Sequence, residues 1–266
     1  MSSIFGILLA LLAIGIGMVL KGASLTSLYN PAAYLIIFGG TAAALLVAFP
    51  FSEIKKLPQL FKIALIEPKL PSKAKQISSL VECAEVAKKE GFLALEEIAA
   101  NTTDPFLKKG LELIIDGYDL EFIEEVLFEE VEAIDKRHKT GALIFTQAGT
   151  YAPTLGVLGA VVGLIAALGN LNNVEKLGHS ISAAFIATLL GIFTGYVLWH
   201  PIANRLKRLS KKEQDLKLLT IEGLLAVYQG LSPSALEKKL TVSMPPKELK
   251  KFVKDGGGEE RNEKIA

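Results

Sequence analysis

Four stretches of this 266-residue chain carry no Asp, Glu, Lys or Arg: Ile4 to Leu20, Ala33 to Pro50, Gly141 to Gly169 and Ser180 to His200. Each reaches the roughly 17 to 25 residues that a helix needs to cross about 30 Å of hydrocarbon. One such run is compatible with a buried helix of a soluble protein. Four in one small chain, at a mean hydropathy of +0.39, point to membrane spans. The expected fold is an all-α integral membrane protein with four transmembrane helices (4–20, 33–50, 141–169, 180–200) and long cytosolic helical extensions. A polar block at 51–140 separates the two pairs of spans, and a cytosolic helix and tail occupy 201–266.

The N-terminus, Met1-Ser2-Ser3, has no basic residues, and no small-residue cleavage site follows the first apolar run. The first run therefore reads as a retained helix rather than a signal peptide. Lys and Arg set the orientation. Lys55, Lys56, Lys62, Lys69, Lys73, Lys75, Lys136, Arg137, Lys139, Arg205, Lys207, Arg208, Lys211 and Lys212, fourteen in all, flank the spans on one side. The two short loops, 21–32 and 170–179, hold only Lys21 and Lys176. The asymmetry predicts a multi-pass protein of the cytoplasmic membrane with both termini and 51–140 in the cytosol. The single cysteine, Cys83, excludes an intramolecular disulfide and fits a reducing compartment.

The third run, 28 residues from Gly141 to Leu168, spans about 42 Å at 1.5 Å per residue, more than a bilayer requires. It is expected to continue a helix that begins near Phe122. The fourth is expected to extend through Arg205 to about Gln229, with Leu216, Leu219, Leu224 and Val227 as a stripe. In the polar block, Phe51, Ile54, Leu57, Leu60 and Phe61 alternate with lysines, which suits an interfacial helix on an anionic leaflet. Residues 76–100 read as helical, with Ile77, Leu80, Val81, Ala84 and Ala87 on one side and a break at Gly91. Between Asp119 and Asp135, Phe122, Val126, Leu127, Val131 and Ile134 oppose a row of glutamates, either a solvated face or a contact for a charged partner. The tail from Pro245, with Gly256 to Gly258, is expected to be disordered.

Signals of enzymatic chemistry are missing. There is no phosphate-binding loop with its lysine, no metal-spaced Cys/His cluster, and His138, His179 and His200 lie far apart. No enzyme activity, cofactor, metal or nucleic acid is expected. Charges inside a bilayer are expensive and mark ion paths. Since these spans have none, an ion passing here needs a carrier from another subunit. The third and fourth runs are nevertheless polar and notched. The third has Thr146, Gln147, Thr150, Tyr151, Pro153 and Thr154, then Gly156, Gly159 and Gly163. The fourth has Ser180, Ser182, Thr188, Gly191, Thr194 and Gly195, closing at His200-Pro201. Pro153 removes a donor and frees the carbonyl of Gly149. On residue chemistry alone this face serves ordinary helix packing, with hydroxyls bonded back to their own backbone, as well as it lines a second helix or a wet path.

At these residues the sequence resembles the MotA/TolQ/ExbB proton channel family, and within it the flagellar stator subunits of MotA type. The third-helix signature is similar to Gly149-Thr-Tyr-Ala-Pro-Thr-Leu-Gly-Val-Leu-Gly-Ala160. The fourth is similar to Ala183-Ala-Phe-Ile-Ala-Thr-Leu-Leu-Gly-Ile-Phe-Thr-Gly-Tyr196 running on to Pro201, and the rotor-facing motif to Ala87-Lys-Lys-Glu-Gly-Phe-Leu-Ala-Leu-Glu96. The resemblance implies that about five such chains surround two copies of a MotB-like subunit whose aspartate carries the ion. Ion flow would then turn the ring against the rotor protein FliG. By motif position, Pro153 and Pro201 couple ion movement to conformation, Thr188 faces the pore, and Lys88 and Glu96 contact FliG. The family often has Arg where Lys88 stands, so the planar fork is lost while the charge is kept. Sodium-driven relatives place a threonine where Ala160 stands, so one oxygen ligand is missing and proton drive is expected. Within the same family, energisers of envelope transport (ExbB or TolQ type) have three spans and are the nearest alternative. A non-conducting membrane scaffold is the other.

Overall fold

The computed structural model describes residues 2–68, 70–169 and 171–254. Among them there is no strand, and four helices are long and apolar enough to cross a membrane. The chain divides into two compact units: the segment up to Pro68 with Arg137–Leu209, and the remainder.

The first unit holds the spans. Helix α1 (Ser2–Leu20) is apolar all round, and none of Ser3–Leu20 is buried in the chain, as expected for a helix that faces lipid or another subunit. Helix α2 runs over Pro31–Tyr34 and Gly40–Ala48, joined by a π-helical turn at Leu35–Gly39. Asn30 caps it by accepting from the Ala33 N–H through its side-chain oxygen, while its amide donates to the Ala183 carbonyl at 3.2 Å. Beyond Pro50 the interfacial region is two short helices, α3 (Phe51–Ile54) and α4 (Leu57–Leu65). Leu57, Leu60 and Phe61 pack on Phe145, Ala142, Ile202 and Ala203, and Phe51 stays exposed with the Lys55 ammonium 5.0 Å from its ring centre.

Two helices contribute to both units. Helix α8 is one 49-residue helix, Leu120–Leu168. Helix α9 is built from Val174–Phe193, a π-helical turn at Thr194–Trp199, and His200–Tyr228. It starts before Ser180: Asn173 caps it by accepting from the Lys176 N–H, so Glu175, Lys176 and His179 lie in its first turns rather than in a loop.

The second unit adds α5 (Lys73–Glu90), α6 (Leu95–Asn101), α7 (Pro105–Ile115), α10 (Pro233–Thr241) and α11 (Pro246–Lys254). Its core joins Ile77, Leu80, Val81 and Ala84 to Leu111, Ile114, Leu219 and Leu224. One buried polar link crosses it, the Gln76 amide donating to Thr220 Oγ1 at 2.8 Å.

Two readings change here. In the acidic helix the core-facing residue is Ile123, fully buried beside Leu127, whereas Phe122 is exposed and stacks on Tyr118. The helix starts at Leu120 after the turn at Gly117, and that start sets the phase. The tail is ordered further than composition suggests: Pro246–Lys254 is helical because Phe252 and Leu249, three apart, form an apolar edge that seats on the core. Gly256 to Gly258 lie outside the described residues.

Candidate ion-path and rotor-contact sites

The glycines of the third and fourth spans face each other within the chain. A Cβ built on Gly156 would stand 2.9 Å from the Gly191 Cα and from the Ala187 carbonyl oxygen. One built on Gly191 would stand 2.7 Å from the Gly156 Cα. Gly163 repeats the contact one heptad on, against Ala184. With no side chain between them the two backbones touch, the usual route to tight association where water exclusion gives no drive.

The prolines sit at the end of this seam away from Gly163. A Cβ on Gly195 would lie 2.6 Å from Pro153 Cγ and 2.8 Å from the Gly149 carbonyl oxygen, the acceptor that Pro153 deprives of its helical donor. A Cβ on Gly149 would in turn lie 2.8 Å from the His200 ring. Pro201 follows directly, after the π-helical turn, which is a site of irregular hydrogen bonding that a residue without N–H fits. The two prolines, far apart in sequence, thus flank one contact cluster: Pro153–Gly195 and Gly149–His200.

The hydroxyls mostly follow the plain alternative. Thr146, Thr150 and Thr154 donate to carbonyls of their own helix at 2.7 to 3.1 Å, and the Thr194 hydroxyl does the same at 2.8 Å to Leu190. Thr188 differs. Its donation to the Ala184 carbonyl is stretched to 3.4 Å and its side chain is only half-buried, so its oxygen retains capacity for another partner. Ala160 is half-buried on α8 and offers no oxygen beyond its backbone.

Sequence reading passed over Thr41 and Trp199. The Thr41 hydroxyl, 2% exposed, and the Trp199 indole N–H are buried with no hydrogen-bond partner among the described residues. A lone threonine after Gly39-Gly40, amid the apolar residues of 35–50, was the available signal for the first. Among the described residues no group of three or more His, Cys, Asp or Glu is placed to hold a metal.

Lys88 and Glu96 belong to the second unit. Lys88 lies in the last turn of α5 and Glu96 in the first turn of α6, both exposed and neither engaged in an ion pair among the described residues. Gly91, at φ +86°, turns the chain between them, followed by a 3-10 turn at Phe92–Ala94 whose Phe92 ring stacks on Tyr228. Leu93 is 70% exposed at the tip.

Family models match both halves of the chain: "Motility protein A N-terminal" over residues 4–91, and "MotA/TolQ/ExbB proton channel family" over 98–217. The Bacillus subtilis (strain 168) protein named Motility protein A is 53% identical over 265 residues, 98% of each chain. The chain belongs to the MotA/TolQ/ExbB proton channel family. The described fold agrees. The solved flagellar MotAB stator complex from Bacillus subtilis contains a chain that superposes with a TM-score of 0.89 at 55% identity, covering 94% of this chain and 98% of that one. The C. jejuni MotAB structure gives 0.87 at 28% identity, covering 92% and 96%. Sequence and fold together make this member of the MotA/TolQ/ExbB family a multi-pass membrane protein and a flagellar stator subunit.

Proposed function

We propose that the chain forms the outer ring of a proton-driven stator, about five copies around two MotB-like chains, in the cytoplasmic membrane with both termini in the cytosol. The observation that carries this reading is the absence of any carboxylate or ammonium between the ends of its four spans, beside a half-free hydroxyl at Thr188. An ion path built on these walls needs its carrier from the enclosed partner, and a MotB-like aspartate supplies it. The excess of Lys and Arg flanking 51–140 and following 200 supports the orientation.

In this mechanism protonation of the partner's carboxylate alters its contact with the α8–α9 seam. The seam responds at its least regular place, the Pro153–Gly195 contact and the π-helical turn before Pro201. Ring rotation then carries the exposed Lys88 and Glu96 of each copy past FliG. The work is conformational, with no covalent step. Proton rather than sodium drive follows from Ala160, where a threonine would add an oxygen ligand. Swimming and ion flux are expected to persist when external sodium is removed at fixed pH; arrest would overturn proton drive.

A further inference from the structure

A small cavity of about 110 Å³ opens in the first unit, lined by Glu53, Lys56, Leu60, Arg137, Thr140, Gly141 and Ile144. Three features set it apart from a chance gap. Its floor is apolar: Ile144 is 1% exposed, and Leu60 rests directly on Gly141, where a Cβ would stand 3.0 Å from Leu60 Cδ1. Its rim is charged: Lys56 and Arg137 both border it, and neither is in an ion pair with any described residue, although Glu53 is on the same rim. Its position is fixed by the sequence, because Arg137 is the last arginine before the uncharged run that starts at Gly141. The remaining wall comes from α3, the turn after it and α4, through Glu53, Lys56 and Leu60.

We infer that this cavity is a phospholipid headgroup site on the inner leaflet, selective for an anionic phosphodiester. A guanidinium and an ammonium from two residues that border one small space match a phosphate, which Arg binds through a planar fork. The single carboxylate leaves the rim with a net charge of +1, which favours an anionic lipid over a zwitterionic one. The apolar floor at the level where the span begins receives the glycerol and the first acyl carbons, and a free inorganic anion would gain nothing from it. The site pins the interfacial helices to the membrane surface where the uncharged run of α8 begins, a fixed reference against which the seam can move.

The test uses the full chain co-purified with its membrane partner in phosphatidylcholine nanodiscs, with phosphatidylglycerol titrated in and binding read by native mass spectrometry. Saturable binding is expected, weakened about fivefold by Lys56→Gln or Arg137→Gln, about what one basic residue contributes near an anionic surface, and weakened less by Arg137→Lys, which keeps the charge and loses the fork. Lys55→Gln, whose ammonium lies over Phe51 instead, leaves it unchanged. Equal weakening by all three glutamine variants would mean a diffuse basic surface and overturn the site. Displacement of the lipid by millimolar inorganic phosphate would overturn the lipid assignment in favour of a free anion. Unaltered co-purification of the partner shows that a variant has folded, so loss of binding is read only against that background.

Discussion

Gly195 lies directly against Pro153: a single added methyl would come 2.6 Å from the proline ring and 2.8 Å from the carbonyl of Gly149. The two spans can be this close because α9 carries no side chain where the proline ring of α8 meets it. Gly195→Ala should therefore force the helices apart. Overpacking of this kind costs about 1 to 3 kcal/mol. A lower melting temperature of the detergent-solubilised protein is expected, with Gly178→Ala, which meets nothing within 4 Å, close to unchanged.

Pro153→Ala should have the opposite signature. It restores an N–H aimed at the Gly149 carbonyl, so folding and partner binding are kept while the irregularity that lets the seam flex is lost. The expected outcome is normal membrane abundance with rotation of tethered cells abolished. Loss of rotation together with loss of the protein would reduce Pro153 to a packing role.

Reversal of Lys88 or Glu96 should impair swimming without lowering stability, because both side chains are exposed and outside any described ion pair. Exposed pairs contribute at most about 1 kcal/mol each, so single reversals are expected to be partial and the double reversal more severe. Compensating reversals on the rotor protein should restore part of the swimming rate. The same reasoning makes Leu93→Ser, at the exposed tip between them, a milder lesion of the same kind.

Cys83 gives a prediction on chemistry rather than motion. Burial, reinforced by the neighbouring Glu82, pushes its thiol from an ordinary value near 9 up to about 12. At pH 8 the thiolate is on the order of one part in ten thousand, so maleimide should leave the native protein unlabelled and react once it is unfolded. A raised folded value favours folding below pH 9 and loses that advantage as pH rises from 9 toward 12, so Cys83→Ala should flatten stability over that alkaline range.

The parts of the molecule that were legible in advance are those where one physical requirement dominates. A lipid-spanning segment must exclude charge, so the four runs and the helical continuations through Arg137 and Arg205 could be read directly from the residues. The break at Gly91 was equally plain, since no other residue takes φ +86° without cost. The two-sided choices were not legible. The glycines of 149–163 and 191–195 could have faced a foreign helix or each other, and only the fold pairs Gly156 with Gly191. Phe122 and Ile123 are adjacent and both apolar, so the phase of the acidic helix depended on where Leu120 begins it. The seating of Phe252 was hidden because a lysine-rich nonapeptide looks solvated until a core exists for one ring to enter.

The central claim is that this chain provides the walls of an ion path and another chain provides the carrier. Proton flux into liposomes, driven by a potassium diffusion potential, tests it most directly. The account predicts flux when the chain is reconstituted with its MotB-like partner, and none above the lipid background when either is reconstituted alone. Full-rate flux through this chain by itself would contradict it.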